Sequence, residues 1–158
     1  MKQFIVVAAA MAALTLGPVH AAEPAAGHSH SAQTTELQLN AGKKWETDAP
    51  LRKHMGEIRQ AMAAALPAVH DNRLPAAEYG ALAKKVEGSV ANIVAQCKLP
   101  PDADAQLHII VAQMLAGTDQ MAGKSQSGEP RGGAVKVVNA LDNYGGYFND
   151  PGFEPLKR

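Results

Sequence analysis

The 158-residue chain balances 15 Lys and Arg against 15 Asp and Glu, holds six histidines and a single cysteine, and is only 4% aromatic. A net charge of zero with no basic cluster excludes the concentrated positive field that nucleic acid or an anionic membrane surface demands. One cysteine excludes an internal disulfide, so stability rests on packing, and abundant alanine with few aromatics favours close-packed helices over a β-sandwich.

Residues 1–21 carry the pattern of a secretory signal peptide. Met1-Lys2-Gln3 is a short basic start, Phe4 to Leu16 is an unbroken apolar run, Gly17-Pro18 breaks it, and Val19 and Ala21 are the small residues before a cleavage site. The mature chain is expected to begin at Ala22, outside the cytoplasm. The apolar run falls short of the ~20 residues of a membrane span, and no second hydrophobic stretch or lipidated cysteine follows, so no stable membrane anchor is expected.

Residues 22–36 are small, polar and aperiodic and predict a disordered tail. It contains His28-Ser29-His30. Two imidazoles one residue apart in a segment without a core can chelate copper, nickel or zinc weakly, while a solvated spacer with incidental histidines is the simpler account. Residues 37–158 read as a single helical-bundle domain that begins with an irregular lead-in as far as Trp45.

The first helix is predicted to start at Thr47-Asp48-Ala49-Pro50, where Thr47 or Asp48 caps it and Pro50 fits the first turn. Leu51, His54, Met55, Ile58, Ala61, Met62 and Ala65 then share one face, and Pro67 is expected to stop the helix near Leu66. The second helix is expected after His70, with Asp71 or Asn72 as cap and Pro75 in its first turn, and buries Tyr79, Leu82, Val86, Val90, Ile93 and Cys97. The third opens at Pro101-Asp102 and buries Leu107, Ile110, Val111, Met114, Thr118 and Met121. Gly123 to Gly133 reads as a connection, and the fourth helix is expected from Ala134, with Gly145-Gly146 fraying its end and Tyr144, Tyr147 and Phe148 capping the core. No segment reads as a strand. Four amphipathic helices with short early connections predict an all-α, up-down-up-down four-helix bundle.

Catalytic signatures are missing. There is no G-x-S-x-G elbow, H-E-x-x-H, phosphate-binding glycine loop or C-x-x-C, so a non-enzymatic protein is expected. Gly132-Gly133, between a charged loop and a helix, can approach an anion, although turn chemistry is the simpler account. Without C-x-x-C-H, covalent haem attachment is excluded, but haem b needs only axial His or Met ligands.

The candidate internal ligands are His54 and His108, for haem or a metal, with Met55, Met62, Met114 and Met121. Both histidines follow the starts of diagonal helices by a few residues, which predicts similar depth. The methionines repeat at seven-residue spacing, on helix one and on helix three. Thioethers select Cu(I), yet methionine at this spacing is also ordinary core filling. Cys97 reads as a small buried hydrophobe.

The stretch from Leu39 to Arg52, with Cys97-Lys98-Leu99 and Ala103 to His108, resembles small, poorly characterised periplasmic four-helix-bundle proteins of Gram-negative bacteria. The architecture is similar to cytochromes c′ and b562, from which this chain departs in lacking the c-type motif and a histidine on helix four. The resemblance implies a periplasmic location but no assigned site residues. Three functions follow as expectations: a non-enzymatic periplasmic binding or accessory protein handling a transition metal such as copper; a haem b bundle; and a structural or stress-related interaction module. A periplasmic protein partner or a homodimer are the partners compatible with them.

Overall fold

A computed structural model describes residues 36–126 and 128–157; the expected leader and the segment with His28 and His30 lie outside the described residues. In chain order the elements are β1 (Trp45–Glu46), α1 (Ala49–His70), α2 (Ala76–Gln96), α3 (Pro101–Met121), α4 (Pro130–Tyr147) and β2 (Phe148–Asn149). Each helix packs on the next and α4 returns to α1, the closed ring of an up-down bundle. The fold is all-α as expected, with α1 and α3 on one diagonal. None of the described helices is long and apolar enough to cross a membrane.

Asp48, not Thr47, caps α1, accepting a hydrogen bond from Leu51 N at 2.8 Å, and Pro50 lies in the first turn. Contrary to expectation, α1 runs through Pro67 to His70. Proline deletes one backbone donor, but its own carbonyl still accepts from Asp71 N at 3.1 Å, and Leu66 and Val69 on either side are both buried. Packing outweighs the single lost bond.

Asn72 does not start α2 but ends α1. It adopts the left-handed conformation, φ 52°, while its N–H donates to Val69 O and the next N–H, of Arg73, to Ala68 O, the paired bonds of a Schellman ending. The residue before α2 is Pro75, without a capping side chain.

The fourth helix begins at Pro130, one turn before its predicted start. Gly132 and Gly133 are helical, because there α4 crosses α3 backbone to backbone. A Cβ on Gly133 would lie 2.5 Å from Gly117 O, and one on Gly117 would lie 2.7 Å from Gly133 O. The buried Gln120 of α3 holds the beginning of α4 by donating from Nε2 to Glu129 O at 2.8 Å. At the other end the helix continues through Gly145-Gly146, and Tyr144 and Phe148 are buried and stacked at 5.5 Å.

A short parallel sheet is present where none was expected. Trp45 pairs with Phe148 and Glu46 with Asn149. It is preceded by a tight turn at Asn40 to Lys43, with Ala41 and Gly42 both at positive φ and reciprocal bonds between Asn40 and Lys43. The lead-in is therefore ordered and docked: Gln38 N donates to Gln106 Oε1 at 2.7 Å, and Trp45 Nε1 to Gln38 O at 2.7 Å.

Candidate functional site

His54 falls in the apolar stripe of α1 and is 3% exposed. One turn on, Glu57 stands at the rim, and its Oε2 lies 2.8 Å from His54 Nδ1. The same oxygen accepts from Ser89 Oγ of α2 at 3.3 Å, so the carboxylate spans two helices. The histidine hydrogen bond holds the Glu57 carboxyl below the ordinary carboxylate range, against a smaller opposing effect of burial. A carboxylate only accepts, which assigns the proton of the neutral imidazole to Nδ1 and leaves a lone pair on Nε2. That nitrogen is buried and, among the described residues, has no hydrogen-bond partner.

An unsatisfied buried polar atom costs about 1–3 kcal/mol. Carboxylate-backed imidazole is also the arrangement by which proteins orient a histidine toward a metal. The sequence pattern places His54 on the inner face but does not identify Glu57 or Ser89; the i, i+3 spacing of His54 and Glu57 is the one signal of that pair in the sequence.

Met55, Met62, Met114 and Met121 are all fully or almost fully buried, as the heptad spacing predicts. His108 takes a different position. Its side chain is 66% exposed, with Nδ1 2.8 Å from Asp104 O and 3.4 Å from the Asp104 carboxylate. It lines a cleft of about 270 Å³ between α2 and α3 with Cys97, Asp104 and Val94, and His54 has no part in that cleft. Among the described residues, no three His, Cys, Asp or Glu side chains are grouped so as to hold a metal.

Cys97 follows the end of α2 and is partly buried. Burial, and then the neighbouring Asp48 carboxylate, push its thiol up to about 12. It stays a protonated thiol at neutral pH, the opposite of an activated nucleophile. Asp48 itself serves both helices here, because its Oδ2 accepts from Lys98 N at 2.7 Å while Oδ1 caps α1. Comparison with family models, with curated proteins and with solved structures yields no match.

Proposed function

We propose that this chain is a non-enzymatic accessory protein of the Gram-negative periplasm that binds a soft transition-metal ion, copper ahead of nickel or zinc. The observation that carries the proposal is Nε2 of His54: a buried nitrogen, without a hydrogen-bond partner among the described residues, on an imidazole whose other nitrogen is held by Glu57. Cu(I) accepts few ligands and favours imidazole with thioether sulfur, so it does not need a cage of His, Cys and carboxylates. The four buried methionines supply sulfur to the same interior. In this scheme His108 on the surface, and His28 and His30 of the N-terminal segment, capture the ion first, and His54 retains it.

Competition for Cu(I) against a chromophoric chelator tests this on the mature chain. His54→Ala is expected to abolish the tight site, and Glu57→Gln to weaken it about 10- to 100-fold, the usual cost of losing the group behind a metal-bound histidine. Removing residues 22–35 is expected to slow loading without changing the stoichiometry. Unaltered affinity in His54→Ala would sink the proposal. The same nitrogen suits an axial haem ligand, and a Soret band on haem titration, with no copper bound, would transfer the site to that function.

A further inference from the structure

From Ala105 to Thr118, about four turns of α3, the sequence holds no Asp, Glu, Lys or Arg. One side of that stretch is the core face, where Leu107, Ile110, Val111 and Met114 are buried. The other side points away from the bundle and carries Ala105, Ala112, Leu115 and Ala116, all exposed, with the partly buried Ile109. It continues onto α2, which from Gly88 to Gln96 is also free of charged residues and presents Val94 beside α3. Val94 is 66% and Leu115 38% exposed, two of the four large apolar side chains left open among the described residues. Such side chains standing singly are ordinary, but a charge-free face continuous over two helices and rimmed by charge has the composition of an interface core.

Charge closes this face at both ends, with opposite sign. Asp102 and Asp104 stand at the start of α3, against Lys98. At the far end Lys84, Lys124 and Lys136 outnumber Glu87 and Asp119. Lys124 bridges Glu87 and Asp119 at 2.8 and 3.5 Å, which puts Lys84, one turn before Glu87, at that end on the α2 side. On the α4 side, Gly132 abuts Gln120 and Asn143 Nδ2 donates to Gln113 Oε1 at 2.8 Å, so Lys136, one turn after Gly132, borders α3 as well.

We infer that this face binds a second copy of the chain, α3 on α3, antiparallel and related by a two-fold axis near Ala112. A face negative at one end and positive at the other is complementary to itself only when the copies run in opposite directions. Asp102 of each copy then meets Lys136 of the other on the α4 side, and Asp104 meets Lys84 on the α2 side. Alanine at 105, 112 and 116 lets the two helix backbones approach closely, while Ile109, Leu115 and Val94 supply the apolar contact. This self-complementarity selects a second copy over an unrelated protein. The pairing involves neither His54 nor a bound ion and does not rest on the metal proposal.

Sedimentation velocity on the mature chain, with EDTA present so that no ion bridges the copies, tests it. The wild type is expected to sediment as a dimer in the micromolar range. Val94→Lys with Leu115→Lys, at positions already open to water, is expected to raise the dissociation constant at least about tenfold while leaving the helical circular dichroism unchanged. Asp102→Lys and Lys136→Glu each set like charges against one another at two junctions, and each is expected to dissociate at concentrations where the wild type is paired. An equimolar mixture of those two variants is expected to recover the dimer, because both junctions then join opposite charges. A monomeric wild type, a dimer that survives Val94→Lys with Leu115→Lys, or a mixture no more paired than either charge variant alone would each overturn the assignment.

Discussion

Single side chains in this bundle are placed at seams between helices, and Asp48 shows what such a placement does. One carboxylate oxygen caps α1, the other holds Lys98 N beyond the end of α2, and the carboxylate adds to the burial that raises the Cys97 thiol. Asp48→Ala is expected to cost about 1–3 kcal/mol in urea denaturation, combining a lost cap with a backbone donor left without its partner. Because the Cys97 pKa is raised in the folded state, folding favours the thiol. Its contribution to stability is complete below the unfolded pKa and declines as pH rises above about 9 toward the folded value of about 12. Alkylation of native protein at pH 8 should accordingly be far slower than that of urea-unfolded protein, and Asp48→Asn should speed it. The seven-residue spacing identifies the buried methionines and the apolar face of α1 the inner position of His54, whereas the partners of Nδ1 and the isolation of Nε2 depend on neighbours that spacing does not encode.

Helices are legible from periodicity, and so are the starts of α1 and α3, but the end of α1 and the start of α4 are not. All four are found in the expected order, yet α1 passes Pro67 and α4 starts at Pro130, since tertiary packing decides both. Gly132-Gly133 looks like turn chemistry in one dimension; in three, Gly133 has no Cβ because Gly117 O occupies that space. Gly133→Ala is therefore expected to destabilise by about 1–3 kcal/mol through overpacking, although alanine is the better helix former. Gly56, helical and exposed with nothing beyond its own stretch of helix within 4 Å of where a Cβ would stand, makes the matched control. Gly56→Ala is expected to stabilise by about 0.5–1 kcal/mol. Equal effects of the two substitutions in urea denaturation would refute the close crossing.

At the scale of the molecule, the bundle class follows from composition and pattern together, but its closure does not. Two-residue strands are too short to show alternation, and nothing local in Trp45-Glu46 announces Phe148-Asn149 as a partner. The strap is nevertheless well tied: Thr47 Oγ1 donates to Asn149 O at 2.7 Å, and Asn149 Nδ2 to Glu46 at 3.1 Å. Phe148, 1% exposed, is its apolar anchor. Phe148→Ala should cost about 3–5 kcal/mol and lower the m-value or broaden the transition if the ends then open ahead of the helices.

That strap also sets an order of events in time. The Thr47–Asn149 bond joins residues 102 positions apart, whereas each helix pairs with the next across a short connection. Loop-closure entropy makes the distant pairing the slowest to gain, so the helical hairpins assemble first and β1 meets β2 last. Substitutions in the strap should then accelerate unfolding and leave the refolding rate almost untouched, which makes this smallest element of the fold the latch on its kinetic lifetime.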